Sequence, residues 1–252
     1  MSEARLIRPE HSRRFRLRPL LLLLIVLAAV GVAISPVLRL QKVEVTGLKR
    51  LTEAQVLEEA GIQLGTPRWA YTAGQVENRL KAEPWIKTAH VSWSWDAMQI
   101  QVEEREPVGL LPYRDRWVSL DETGLILELV DSPAAAHLPV IGGISTSKAL
   151  RGQKLNTPGL TDALLVLSWM GDSLRSQVGQ VQVDPDRSLT FYLSGRTTVR
   201  WGILPETSHD RLSAVQEKLK ILGGSLQEIP KQRGSSCEID LRPEPYVSLS
   251  CK

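Results

Sequence analysis

From Val43 onward the chain alternates apolar and polar positions in short bursts broken by two stretches of helical spacing. Val43 and Val45 alternate with polar neighbours and end at Thr46-Gly47, which predicts a strand closed by a turn. Thr52 followed three residues later by Gln55, with Leu51 and Val56 flanking them, is a capping box with a hydrophobic staple. It predicts a helix that turns Val56, Leu57 and Ala60 inward and stops at Gly61. Thr72, Gln75, Tyr71 and Val76 repeat the arrangement, and that second helix ends before Pro84. Ala89, Val91, Trp93 and Trp95 then alternate, Asp96-Ala97 supplies a turn, and Met98, Ile100 and Val102 alternate again. The pattern predicts a hairpin with one apolar face, Trp93 and Trp95 sharing it, where core packing is expected ahead of the competing reading, a partner hot spot. Strand, helix, helix, strand, strand is an α+β unit with both helices on one face of a three-stranded sheet.

Beyond Pro107 the pattern is β-rich. Strands are predicted at 109–111, 117–120, 125–129, 178–183, 189–193, 197–201, 237–241 and 246–250, giving a mainly antiparallel sheet. Apolar spacing predicts flanking helices at 160–170 and 211–222. The second carries Leu212, Val215, Leu219 and Leu222 on one stripe and stops at Gly223-Gly224.

Ahead of these units lies a different pattern. No residue between Arg18 and Arg39 is charged, and 20–38 is rich in leucine, valine and alanine. About 20 such residues span a hydrocarbon core of about 30 Å, so a transmembrane helix is predicted over 19–38. A cleaved signal peptide, with Gly31 and Ala33 spaced like a cleavage site, is the competing reading, and the longer apolar run and long basic lead favour an anchor. Arg5, Arg8, Arg13, Arg14, Arg16 and Arg18 stand against Glu3 and Glu10 in residues 1–18, a net of +4. The whole chain has 31 basic and 28 acidic residues, so the remainder is at −1. Arg13, Arg14, Arg16 and Arg18 therefore set the topology, with the tail cytoplasmic and the bulk outside. A chain without a basic patch after residue 18 is not expected to bind nucleic acid.

The sequence offers little chemistry. No nucleophile with its base, paired carboxylate cleft, phosphate loop or metal motif is evident, and neither catalysis nor a cofactor is expected. His11, His90, His137 and His209 are scattered, Glu103, Glu104 and Glu106 read as a solvated strand end, and Asp184 and Asp186 flank Pro185 as turn residues. The two cysteines, Cys237 and Cys251, fall on the last two strands, in an oxidising compartment on this topology. If Arg242–Pro245 form the turn, Leu241 pairs with Tyr246 and Cys237 faces Ser250, so a disulfide needs a one-residue bulge; bonded and free states both stay open.

The strings VEVTGLKRLTEAQVLEEAGIQLGTPRW and KAEPWIKTAHVSWSWDAMQIQVEEREPVGLL resemble a POTRA domain of the FtsQ/DivIB cell-division family, above all in the ending Glu104-Arg105-Glu106-Pro107-Val108 after two capped helices. VSLDETGLIL, LPVIGG, VRWG, HDRLSAVQEKLKIL and EIDLRPEPYVSLS follow in the order of that family's second, β domain. The resemblance implies a basic tail at 1–18, a span at 19–38, a POTRA domain at 40–107 and a β domain at 108–252. It further implies a single-pass inner-membrane scaffold at the division septum, bulk periplasmic, that recruits FtsB and FtsL through an edge of the β domain, with further divisome proteins expected at the POTRA domain. The matching edge is Ile239, Asp240, Leu241 and Arg242 with Tyr246, Val247, Ser248 and Leu249. Pro243 and Pro245 depart from the family's turn. The alternative class is a membrane-tethered envelope enzyme with an unrecognised site.

Overall fold

A computed structural model of the chain describes residues 17–34, 39–94, 97–228, 236–242 and 247–251. The first helix, α1 (Leu17–Ile34), has 18 residues and no acidic residue in its first turn. Among the described residues no helix is long and apolar enough to cross a membrane. Arg13, Arg14, Arg16, Trp95, positions 243–245 of the turn predicted over 242–245, and Tyr246 lie outside the described residues.

By contact density the chain divides into two units, Met1–Arg79 with His90–Gln101, and Leu80–Ala89 with Val102–Lys252. Strand β1 (Lys42–Thr46) opens a three-stranded sheet of order β1-β3-β2, completed by β2 (Ile86–Trp93) and β3 (Ala97–Glu104). Strands β1 and β3 run parallel, Val43 beside Met98 and Val45 beside Ile100. Between β1 and β2 come α2 (Glu53–Ala60) and α3 (Ala73–Ala82). The capping box at α2 is complete: the Gln55 amide donates to the Thr52 hydroxyl and the Thr52 amide to the Gln55 side chain. Gly61 ends α2 at φ 65°, a left-handed conformation that costs glycine little. Val56, Ala60, Val76 and Leu80 are buried from the helices, and Met98, Ile100 and Val102 from β3.

Two expectations for this region fail. Trp93, which shares the inward face of Ala89 and Val91, is exposed. It sits at the last position of β2, where the strand ends and the Arg68 guanidinium covers its ring at 4.9 Å instead of apolar neighbours. Glu104, read as solvated, is buried, because the two-residue period of β3 places it on the face of Met98, Ile100 and Val102.

The second sheet has nine strands in the order β12-β11-β10-β9-β8-β7-β4-β5-β6. The strands are β4 (Pro107–Tyr113), β5 (Arg116–Asp121), β6 (Ile126–Val130), β7 (Val140–Gly142), β8 (Val178–Val183), β9 (Leu189–Leu193), β10 (Thr197–Gly202), β11 (Cys237–Asp240) and β12 (Ser248–Cys251). Antiparallel pairs predominate, but β4 with β7, β7 with β8, and β10 with β11 are parallel. Neighbouring parallel strands need a crossover, and α5 (Pro158–Trp169) supplies one from β7 to β8 while α7 (Ser208–Glu228) supplies another from β10 to β11. Two short helices, α4 (Pro133–Ala136) and α6 (Asp172–Arg175), occupy connections. One apolar cluster joins Leu160, Leu164 and Leu167 of α5 and Val215 and Leu222 of α7 to Val181, Phe191, Val199 and Ile239 of the sheet. Phe191 and Trp201 meet edge to face in it, ring centroids 5.6 Å apart.

Helix α7 does not stop at Gly223-Gly224. Leu222 before the pair and Leu226 after it both pack against the cluster, and that burial outweighs a helix penalty of about 1 kcal/mol per glycine. The turn in the VSLDETG segment is built on Asp121, buried at the end of β5. One carboxylate oxygen accepts from the Thr123 and Leu125 amides at 2.8 Å each, and the other from Arg105 at 2.8 Å.

Candidate functional site

Strand β12 is the last strand of the nine-stranded sheet, paired on one side only among the described residues. It runs antiparallel to β11 with Asp240 beside Ser248, Ile239 beside Leu249, Glu238 beside Ser250 and Cys237 beside Cys251. The expected register, Leu241 with Tyr246, is therefore wrong by one residue, and β12 is Ser248–Cys251, with Val247 outside it and Cys251 within it. Because the two cysteines face each other directly, no bulge is needed. They are joined by a disulfide, with Cα atoms 4.1 Å apart.

The 4.1 Å separation belongs to a pair whose backbone groups do not bond to each other, the close pair of an antiparallel ladder. The opposite side of β11 agrees: the amides of Cys237 and Leu241 donate to Arg196 and Arg200 on the β10 side. Ser248 and Ser250 thus direct their amides and carbonyls at β11, while those of Leu249 and Cys251 point to the open edge. Each β12 residue is exposed, Leu249 at 37%.

The predicted residues separate onto two faces. Ile239 and Leu241 are buried in the apolar cluster, and Val247 packs half-buried against it. Asp240 and Arg242 lie on the face away from the helices. The Arg242 amide and Nε donate to Asp240 Oδ1 at 3.0 and 2.9 Å. The Arg242 guanidinium chiefly holds the Asp240 carboxyl below its ordinary value, against a smaller desolvation effect, and Asp240 raises Arg242 in turn. Arg18 is within α1.

Residues not singled out from sequence complete this face. Arg200 pairs with Glu238, and Thr190, Tyr192, Thr198 and Arg200 line a cavity of about 180 Å³ together with Asp184 and Arg242. Gly202 follows a register shift in β10 at φ 86°, and a Cβ there would lie 3.0 Å from Arg242 Cγ. Glycine at that position gives the Arg242 side chain its room. The two-residue alternation carries the signal: apart from Thr197 and Gly202, even positions of β9, β10 and β11 are polar while odd ones are apolar. Among the described residues no group of three or more His, Cys, Asp or Glu could hold a metal ion. An exposed strand edge beside a charged sheet face is a geometry that can take a strand from another chain.

Residues 38–105 match the family model for the POTRA domain, FtsQ-type, and residues 112–242 match that for Cell division protein FtsQ/DivIB, C-terminal. A relative from Streptomyces collinus named Cell division protein FtsQ is 31% identical over 201 residues, covering 76% of this chain and 76% of its own. Relatives of the same name from Anaeromyxobacter sp. (strain K) and Mycobacterium leprae are 27% and 28% identical, over 67% and 75% of this chain. The chain spans 58% and 52% of the length of those two. The major extracytoplasmic domain of the cell division protein DivIB from Geobacillus stearothermophilus overlays with a TM-score of 0.31 at 12% identity, covering 51% of this chain and 99% of that one, too weak a likeness to place any element.

Proposed function

We propose a scaffold role in septation from this premise: the chain belongs to the FtsQ/DivIB family of cell division proteins. In this reading it catalyses nothing and binds other divisome proteins, FtsB and FtsL, at the edge formed by β11 and β12. The observation that carries the reading is the place of β12, at the end of a nine-stranded sheet with its outer side unpaired among the described residues. Such an edge is a template for a strand from another chain.

The layout proposed with it is a cytoplasmic tail at 1–18, a span at 19–38, a POTRA domain at 40–107 and a β domain at 108–252. The 18 residues of α1 extend about 27 Å at 1.5 Å per residue, a little short of a hydrocarbon core of about 30 Å. The arginine-rich tail favours the cytoplasmic side and leaves both domains periplasmic, at the inner membrane of the septum. Further division proteins are proposed to meet the POTRA domain.

Co-purification from membranes tests the proposal. The full chain should retain FtsB and FtsL, and deletion of 247–252 should release both while insertion persists. Retention of both by the deleted, inserted chain would exclude this edge as the binding site. Replacing Arg13, Arg14, Arg16 and Arg18 by glutamate should lower the activity of a periplasm-dependent reporter fused after Lys252.

A further inference from the structure

Beyond α1, three large apolar side chains among the described residues stand exposed on the first unit: Leu64 at 60%, Trp69 at 58% and Trp93 at 36%. They belong to one region, because Arg68, next to Trp69 in sequence, lies over the Trp93 ring and donates to the Ser94 carbonyl. A core with Val56, Ala60, Val76 and Leu80 fully enclosed has no packing need for a tryptophan on its outside.

The loop carrying Leu64 and Trp69 is fastened to the first residues after the apolar segment. The Leu40 amide donates to the Thr66 carbonyl at 2.9 Å, the Gly65 amide to the Leu40 carbonyl at 2.8 Å, and Arg39 bridges Pro67. In sequence Arg39 follows Leu38, the last residue of the uncharged run. One bridge and two residues then separate Arg39 from Trp69, so their Cα atoms lie within about 12 Å. A segment that leaves the bilayer at Leu38 delivers this loop to the headgroup layer.

We propose that Leu64, Trp69 and Trp93, with Arg39 and Arg68, form a lipid-facing surface that rests on the outer leaflet of the membrane that anchors the chain. Tryptophan is favoured where an apolar ring and a polar N–H meet the two sides of the interface, and arginine meets anionic headgroups there. A docked protein is the other candidate occupant. The tether favours lipid, since it holds the surface beside the membrane in every molecule, partner-bound or free. This inference rests on the reading of 19–38 as a span.

The test uses the full chain in vesicles of phosphatidylethanolamine and phosphatidylglycerol whose acyl chains carry bromine, a short-range quencher of tryptophan emission. No tryptophan lies in residues 1–68, so quenching reports only on the region after the span. Quenching of the wild-type chain, of which Trp69→Phe removes the larger part with unchanged circular dichroism, is the expected result. Equal quenching of Trp69→Phe and wild type, in chains that resist extraction by alkaline carbonate, would overturn the lipid-facing surface and leave the span intact. Extraction of the wild-type chain by carbonate would instead remove the span reading, and this inference with it.

Discussion

Cys237 and Cys251 stand directly opposite each other across β11 and β12 and close the last hairpin at the end away from its turn. Without that bond β12 is held by four residues of pairing and by the contact of Val247 with the core. Closing a loop at a sequence separation of 14 contributes about 3 kcal/mol in the chain-entropy model. Reduction, or Cys251→Ser, should therefore lower stability toward urea by up to that amount. The unreduced chain should show no reactive thiol when unfolded, and two after reduction. Two thiols before reduction would disprove the bond.

Asp162 sits fully buried on α5 and holds two arginines from distant parts of the chain. Arg187, in the turn between β8 and β9, donates to it at 2.9 Å, and Arg211 of α7 donates to its other oxygen. The carboxylate thus ties one crossover helix, the other and a hairpin turn together. Removing Asp162 takes the buried carboxylate from Arg211 and leaves Arg187 its exposed contact with Glu206, so Asp162→Ala should cost about 3 kcal/mol, with Asp162→Asn in between. Urea unfolding of both variants checks this; a cost under about 1 kcal/mol for alanine would reduce the cluster to a surface pair.

What the sequence made legible and what it hid follow one physical division. Thr52, Gln55 and Gly61 fixed both ends of α2 because capping uses residues three to nine positions apart, visible in a short window. The strands from β4 to β11 were found by alternation for the same reason, except β7, whose three residues are too few to show a period. The Asp162 cluster was invisible, since its partners lie 25 and 49 residues away. Glycines 223 and 224 read as a stop because their local cost is visible while the packing of Leu226 is not. The last register slipped by one because it rested on an assumed turn at 242–245, and hairpin register depends on loop length. At the proposed binding edge both strands were found, the last with its register off by one, but the neighbouring Arg200 and Glu238, brought in by parallel pairing of β10 with β11, were missed.

Asp240 and Arg242 give a pH signature. Arg242 lowers the Asp240 carboxyl in the folded chain, so its ionised form is favoured there over the unfolded chain. A group shifted this way stabilises the fold above its unfolded value of about 3.9 and loses that contribution as pH falls through the folded value. Stability should therefore not change through this pair near neutrality and should decline only below about pH 4. Following the Asp240 carboxyl carbon by NMR should show a titration midpoint below the ordinary carboxylate range, and Arg242→Ala should move it upward. An unmoved midpoint would show that Arg242 is not the cause.

The direction of the backbone in β12 makes the sharpest test of the binding edge. Leu249 points its amide and carbonyl away from β11, whereas Ser250 points its own toward it, as the alternation from the close Cys237–Cys251 pair requires. Leu249→Pro removes an outward donor and places a ring where an incoming strand would bond, yet takes no hydrogen bond from the hairpin, and proline is tolerated on an edge in that position. It should leave the disulfide formed and the fold stable while weakening FtsB capture about tenfold or more, from the lost bond and the steric clash together. Ser250→Pro removes an inward donor and should instead loosen β12 itself, seen as faster reduction of the disulfide. Leu249→Ala separates side chain from backbone: because Leu249 pairs with Ile239 and so shares its face of the sheet, not the open edge, its loss should weaken capture less than proline does. Equal capture by wild type and a well-folded Leu249→Pro chain would rule out strand addition at this edge, and the charged face around Arg200 and Arg242 would become the site to examine next.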